Sequence, residues 1–367
     1  MKVLHIYKDY FPIFGGIEGN LKQVAEGQAA RGHDVTVLVT NPSDLPGRET
    51  LNGVKIVRAR RLATVASTPL SLTLPLLLRA QRPDLVHLHF PYPVGEVSQL
   101  FLGRTPYVIS YHSDVVKQKN ILRVYRPLLK RVLRNAAAIM VGSPNYVESS
   151  EWLREVRGRC VVVPYGIDVG RYERLTGNSE RVIVNEEEVT ILFLGRHRHY
   201  KGGDILIRAV SNISNVRLLI GGDGPERESW EALTTRLGLA ERVTFLGNIP
   251  EDEKPALYQS ADIFVLPAVN RAEAFGIVLL EAMASGLPCV TSELGTGTSF
   301  VVQNGETGLV VPPRDPAVLA DALRTLVDSP ELRRQFGEAG RRRLEAEFTT
   351  ARMLGRISDV YRDVING

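Results

Sequence analysis

Ile263-Phe264-Val265-Leu266-Pro267 runs on to Asn270-Arg271-Ala272-Glu273-Ala274-Phe275-Gly276-Ile277-Val278-Leu279-Leu280-Glu281-Ala282-Met283-Ala284, and then to Pro288-Cys289-Val290-Thr291. A short apolar run closed by proline reads as a buried strand. A loop carrying Glu273 follows, then an apolar helix over Gly276–Ala284, then a second buried strand. Strands without polar alternation, joined through a helix, belong to a parallel sheet covered on both faces.

The same alternation extends outward in both directions. Towards the amino terminus, strands are expected at Val3–Tyr7, Val35–Thr40, Lys55–Arg58, Leu85–His89, Tyr107–Tyr111, Ala138–Val141 and Cys160–Pro164. A second series comprises Thr190–Gly195, Val216–Ile220, Val243–Leu246, Ile263–Leu266, Pro288–Thr291 and Gly308–Val311. Each series suffices for one doubly wound sheet, so the fold class is α/β with two Rossmann-like domains, residues 1–168 and 169–350. The polar stretch Glu173–Glu188, with Gly177, Asn178 and three consecutive acids, suits an exposed linker. A last helix, about Ala351–Val364, has no strand after it.

Bulk properties narrow the class. The 367 residues exceed one ordinary core, and 44% hydrophobic with 23% charged residues is the composition of a soluble globular chain. Cys160 and Cys289 sit far apart in apolar runs and read as small buried hydrophobes, which fits a reducing cytosol. The chain starts directly on a strand, so no signal peptide is expected, and no run reaches a membrane-spanning length. A net charge of +4 is mild and implies only a tolerance for anionic partners.

In open parallel sheets ligands bind beyond the carboxyl ends of the strands, so the loops there carry the chemistry. After the first strand, Gly15 and Gly16 precede a helix, and paired glycines let backbone N–H groups approach an anion. The spacing is not that of a dinucleotide fingerprint, and a plain tight turn reads equally well. In the second series, Gly195-Arg196-His197-Arg198-His199-Tyr200-Lys201-Gly202-Gly203 places Arg196 and Lys201 where two cations can neutralise a diphosphate without metal. Cations on a solvated loop are the plainer alternative. Glu273 and the helix acid Glu281 can accept sugar or ribose hydroxyls, while the N–H groups of Phe275, Gly276 and Ile277 can meet a phosphate. Alternatively Glu281 is merely paired with a neighbouring Arg or backbone donors.

Two acids separated by seven residues in E-A-F-G-I-V-L-L-E-A-M-A-S-G-L-P-C-V resemble the signature of glycosyltransferase family four. F-G-G-I-E, V-P-Y-G-I-D, G-R-H-R-H-Y-K-G, G-D-G-P and E-T-G-L-V-V-P-P resemble that family in the same order, across essentially the whole chain. The resemblance implies a GT-B fold with its site in the cleft between the domains, and a retaining, metal-independent transfer from a GDP- or UDP-linked sugar. Arg196 and Lys201, with the Gly16 amide, would hold the diphosphate, Glu281 the ribose and Glu273 the sugar hydroxyls. His112 matches the family's active-site histidine, and the last helix would return to the first domain. His197 and His199 read as ordinary loop residues. No Asp-x-Asp pair is present to hold a divalent ion, and no cofactor is expected. One departure falls in Glu293-Leu294-Gly295-Thr296-Gly297-Thr298-Ser299, where the family often carries a Glu that touches the sugar.

Between Lys117 and Arg134 lie seven basic residues and no acid, with apolar positions at helical spacing. Such a helix reads either as a surface for anionic lipid or as a helix burying its stripe on its own sheet. Pro127 marks a kink or a helix start within it. Lys117, Lys119, Arg123, Arg126, Lys130 and Arg131 are the candidate membrane or acceptor cations, and Asp114 a candidate for orienting the acceptor hydroxyl. The expected partners are a nucleotide sugar, a lipid-linked or saccharide acceptor and an anionic membrane surface, with no nucleic acid. The expected location is cytoplasmic, peripheral on the inner face of the membrane. Oligomeric state is left open. Rival readings are a transferase for a soluble acceptor, a nucleotide-sugar 2-epimerase and a non-catalytic sugar-nucleotide binder.

Overall fold

The computed structural model describes residues 1–13, 15–115, 119–172 and 188–367. Phe14 of the first glycine loop, Lys117, the side chain of Lys119 and the expected linker at 173–187 lie outside the described residues.

The chain divides into two units, Met1–Pro164 with Thr350–Gly367, and Tyr165–Thr349. The boundary falls four residues before the expected break at 168/169, because Ile167 already belongs to the second unit. Its N–H donates to the Phe348 carbonyl at 2.9 Å, and it bridges Thr349.

The first unit is built on an eight-stranded sheet. Its order is Cys160–Val162, Ala138–Val141, Tyr107–Tyr111, Leu85–Phe90, Lys2–Ile6, Asp34–Thr40, Val54–Ala59 and Arg48–Leu51. All pairings are parallel except the last, where the edge strand Arg48–Leu51 runs antiparallel. That strand escaped the sequence reading because it is paired on one side only and alternates exposed and half-buried polar residues. A small hairpin, Ala63–Val65 with Thr68–Leu70, was also not anticipated. Cys160 is half-buried rather than buried, at the opposite edge. The last helix, Thr350–Asn366, sets Met353, Leu354, Ile357, Val360 and Tyr361 against Val3, Val24, Leu85, Val108 and Met140. Gly27 makes that approach possible, since a Cβ there would stand 2.4 Å from Leu354 Cδ1.

The second unit carries a six-stranded, wholly parallel sheet. The order is Val243–Gly247, Val216–Gly221, Val189–Leu194, Ile263–Leu266, Cys289–Ser292 and Gly308–Val311. Ile191–Leu194 and Ile263–Leu266 are buried along their whole length, as strands covered on both faces must be.

Strand order reverses once in each sheet, and in open parallel sheets the carboxyl ends at such a reversal are where ligands bind. In the first unit this is between Lys2–Ile6 and Leu85–Phe90. In the second it is between Val189–Leu194 and Ile263–Leu266. The loops bearing Gly15, Arg196, Lys201 and Glu273 therefore leave from the switch points.

Candidate active site

In the second unit, the loop after Val189–Leu194 is held down by a buried histidine. The ring of His197 is fully buried, 4.7 Å from that of Trp230, with Phe193 and Phe245 beside it. Its N–H donates to the Asp223 carbonyl at 2.8 Å, and its carbonyl accepts from Glu226. This corrects the reading of His197 as an ordinary loop residue; His199 is exposed. The glycines of Gly222–Pro225 serve the same contact. A Cβ on Gly222 would stand 2.1 Å from the Gly195 carbonyl, and one on Gly224 2.5 Å from that of His197. Both have positive φ. Thus G-R-H-R and G-D-G-P are two sides of one backbone contact.

The loop then folds onto its neighbour at the switch point. Gly202, at φ 73°, would drive a Cβ to 2.1 Å from the Pro267 carbonyl, and Val269 donates to the Tyr200 carbonyl at 2.8 Å. This brings Lys201 Nζ to 2.5 Å from Glu273 Oε2, with both side chains about nine-tenths buried. Burial pulls the Lys201 pKa down, but Glu273, Tyr200 and Glu281 together outweigh it, and the amine is held above its ordinary value. Arg196 is exposed, and its charge acts on the Tyr200 hydroxyl together with those of Lys201, Glu273 and Arg198. The structure thus brings Lys201, Glu273 and Glu281 into one electrostatic neighbourhood, with Arg196 at its exposed edge.

Glu281 lies on the helix Ile277–Ala284 and is buried. Its Oε2 accepts from the Tyr258 hydroxyl at 2.7 Å, Lys254 Nζ stands 3.9 Å from Oε1, and Tyr172 adds a hydrogen bond. Its burial is therefore matched within the protein, by tyrosines and a lysine rather than by the Arg or backbone donors considered above. A carboxylate offers about four lone-pair positions, so capacity for ligand hydroxyls remains. Burial raises the Glu281 pKa, and Lys254 and Tyr258 hold it back. Tyr258, Lys254 and Tyr172 were missed in the sequence, which marks them by no motif.

Gly276 caps that helix at φ 85°, where only glycine is unstrained; the Leu279 N–H turns back to the Gly276 carbonyl at 2.9 Å, and those of Ile277 and Val278 precede any intrahelical acceptor. The Glu273 loop is clamped by the segment where the sequence departs from the family it resembles. Thr296 Oγ1 donates to the Glu273 carbonyl at 2.9 Å and Gly297 N–H to the Ala274 carbonyl at 2.8 Å. Glu293 turns back on its own loop, accepting from the Gly295 N–H and the Ser299 hydroxyl at 2.8 Å each.

In the first unit, Gly15 precedes the helix Gly16–Ala30, whose first turn carries Glu18. A Cβ on Gly15 would strike the Glu18 carboxylate at 2.2 Å, whereas one on Gly16 would meet open space. Lys8 Nζ stands 3.7 Å from that carboxylate.

His112 follows the strand Tyr107–Tyr111 and is buried, not solvated. Its Nε2 lies 3.0 Å from His89 Nδ1, and burial pushes its pKa down to about 3. The ring is therefore neutral, and what it offers is hydrogen bonding rather than charge. Asp114 Oδ1 accepts from Tyr111 and Ser150 at 2.7 Å each, so that oxygen ties the loop together.

The basic segment is the helix Lys119–Asn135. Pro127 lies inside it, which removes the alternative of a helix start there. Leu129, Val132 and Leu133 are buried in the unit, and the Tyr125 hydroxyl bonds the buried Glu96 carboxylate. Lys130 and Arg134 both pair with Glu155, while Arg123, Arg126 and Arg131 are exposed. The apolar stripe of the described part is thus spent on the fold, and the charge remains outside. No helix among the described residues is long and apolar enough to cross a membrane.

Comparison with known proteins agrees with this anatomy. Residues 14–171 match the family described as "Glycosyltransferase Family 4", and residues 178–343 that described as "Glycosyl transferases group 1". The chain is 34% identical to an O-antigen chain mannosyltransferase of Escherichia coli, over 100% of this chain and 99% of that one. It is 37% identical to a D-rhamnosyltransferase of Pseudomonas aeruginosa, over 95% of this chain and 92% of that one. Among solved structures, sucrose-phosphate synthase from Thermosynechococcus elongatus superposes with a TM-score of 0.83 at 24% identity, covering 100% of this chain and 99% of that one. An Anabaena protein solved with UDP and glucose gives 0.78 at 20% identity, covering 99% and 100%. At these identities the structural likeness speaks for the fold.

Proposed function

The chain belongs to glycosyltransferase family four, and from that membership we propose that it moves a hexose from a nucleoside-diphosphate sugar to a saccharide acceptor, lipid-linked in the favoured reading. Its fold is GT-B. The observation that carries the proposal is the grouping of Lys201, Glu273 and Glu281 at the switch point of the six-stranded sheet. A sugar nucleotide presents hydroxyls at both ends and anionic phosphates between them. Acids flanking a cation, beside a helix start, match that order.

In the proposed reaction the carbon–oxygen bond between the sugar and the diphosphate breaks as the acceptor hydroxyl attacks the same face, its oxygen bonding to the sugar carbon and its proton passing to an oxygen of the departing phosphate. Lys201, Arg196 and the N–H groups at Gly276 and Ile277 stabilise the charge growing on the departing phosphate, with no metal invoked. Glu281 accepts from the ribose and Glu273 from the sugar. His112, neutral, serves the sugar through hydrogen bonding. Two of the relatives are named for mannose and D-rhamnose transfer, sugars that share the manno configuration, which favours a manno-configured donor, GDP-linked ahead of UDP-linked. The exposed Arg123, Arg126 and Arg131 support a peripheral place on an anionic membrane. Exposed Leu72, Leu76 and Phe101 on the same unit support it from the apolar side.

Turnover of GDP- and UDP-sugars, with and without an acceptor extract, tests the proposal. A transferase consumes donor efficiently only with acceptor. Interconversion of nucleotide sugars without acceptor would mark an epimerase, and binding without turnover a non-catalytic protein.

A further inference from the structure

Four of the chain's seven histidines lie together in the interior of the first unit. His5 sits on the central strand, His87 and His89 on the strand beside it, and His112 just past the next. Register places His5 opposite His87, and alternation puts His89 on the same face. Each imidazole brings a donor and a lone pair that must be matched once water is gone.

They are matched in series. His112 Nε2 is 3.0 Å from His89 Nδ1, His89 Nε2 is 3.0 Å from His5 Nδ1, and His5 Nε2 is 2.8 Å from Gln28 Oε1. Gln28 Nε2 donates at 3.0 Å to the Tyr361 hydroxyl, which is 2.5 Å from His87 Nδ1; His87 Nε2 is 2.7 Å from Ser110 Oγ. Burial keeps all four rings neutral, with His5 pushed down to about 4, His112 to about 3, and His87 and His89 well below their ordinary value.

A neutral imidazole donates from one nitrogen only. The Gln28 carbonyl can only accept, so His5 carries its proton on Nε2. Its Nδ1 must then accept, which puts the His89 proton on Nε2. His89 Nδ1 must accept in turn, which puts the His112 proton on Nε2. We infer that His89, His5, Gln28 and Tyr361 form a positioning relay that fixes His112 as the Nε2–H tautomer, its lone pair on Nδ1. Tyr361, on the last helix, holds the far side of that amide: its hydroxyl accepts from Gln28 Nε2 at 3.0 Å and lies 2.5 Å from His87 Nδ1. The catalytic use of the relay rests on the reading that His112 serves the transfer.

A metal site is the competing use of these rings, since His5, His87 and His89 bring ligand atoms within 4.8 Å of one another. The rings of His87 and His89 instead stack, 4.4 Å apart at 19°, and every nitrogen of the three already has a hydrogen-bond partner. A hydrogen-bonded pile fits better than a converging ligand set.

The test uses the full chain with 15N-labelled histidine, reading side-chain 15N shifts alongside kcat and donor KM for wild type, Tyr361→Phe, Gln28→Met and His112→Ala. Wild type should show His112 as Nε2–H alone. Tyr361→Phe should show both tautomers and a kcat lower by roughly tenfold, with donor KM nearly unchanged. Gln28→Met should do the same, which guards against a packing effect peculiar to position 361. An Nδ1–H or mixed His112 in wild type would overturn the relay, as would stoichiometric zinc or nickel bound through these rings. If tautomers mix but kcat holds while His112→Ala abolishes turnover, the relay's catalytic use is wrong and the transferase reading stands. If His112→Ala also leaves turnover intact, the role of His112 falls, and the relay's use with it.

Discussion

Lys201 and Glu273 form a nearly buried ion pair, Nζ to Oε2 2.5 Å, across the switch point of the six-stranded sheet. The proposed phosphate cation and the proposed sugar acid therefore neutralise each other before any donor arrives. On the proposed reading donor binding has to reuse both charges, with diphosphate drawn to the lysine and a sugar hydroxyl to the carboxylate. The pair keeps two costly charges matched in the meantime.

Removing either partner should then harm stability as well as binding. Lys201→Ala leaves a buried carboxylate unmatched, a loss of about 3–5 kcal/mol by comparison with other buried pairs, and should weaken donor binding at least tenfold. The double variant Lys201→Met with Glu273→Gln should unfold at a higher denaturant concentration than Lys201→Ala alone. Urea titrations with calorimetric donor binding check both. Unchanged donor affinity in Lys201→Ala would refute the phosphate role.

The proposed ribose acid should show its dependence on Tyr258 through pH. Burial raises the Glu281 pKa and the Tyr258 hydroxyl lowers it. Tyr258→Phe should raise it further, so donor affinity should begin to fall at a higher pH as the solution is acidified. A pH profile of donor affinity that coincides with that of wild type would remove Glu281 from the site.

Acid should weaken the first unit through its buried histidines. Their folded pKa values are depressed, so between the unfolded value of 6.5 and about 4 the unfolded state binds protons that the folded state refuses. Stability is full above 6.5 and falls with pH through that window, by about 3 kcal/mol for His5 alone. Denaturant unfolding at pH 7.5 and 4.5 reads this directly. Equal stability at the two values would mean the rings titrate in the native state.

Much of this was legible. Apolar runs without alternation marked the core strands, and the two acids seven residues apart marked the loop and helix at the switch point. Contacts between distant segments were not. Tyr258 stands 23 residues from Glu281, and Gln28 and Tyr361 stand 333 residues apart. The strand pattern did hold one clue, in His87 and His89 at alternate positions of a fully buried strand. His197 looked like a loop residue because nothing local reveals that Trp230 covers it. The edge strand Arg48–Leu51, polar and paired on one side, carries no buried pattern to read.

Two cations of the basic helix meet an acid, and the Arg126 guanidinium lies 5.7 Å from the Trp152 ring centroid. Lys130 and Arg134 are paired with Glu155, whereas Arg123, Arg126 and Arg131 are exposed. Replacing those three arginines with Ser should weaken sedimentation with phosphatidylserine vesicles by roughly fivefold per residue, about 1 kcal/mol each. Lys130→Ser alone should do less. Equal pelleting of wild type and the triple variant would exclude this face as a membrane surface.

The most direct measurement is a crystal structure of the protein with GDP or UDP bound. The account predicts phosphates against Lys201 and the start of the helix Ile277–Ala284, with the ribose hydroxyls on Glu281. A nucleotide bound elsewhere, with the Lys201–Glu273 pair undisturbed and Glu281 contacting only Tyr258, Tyr172 and Lys254, would contradict it.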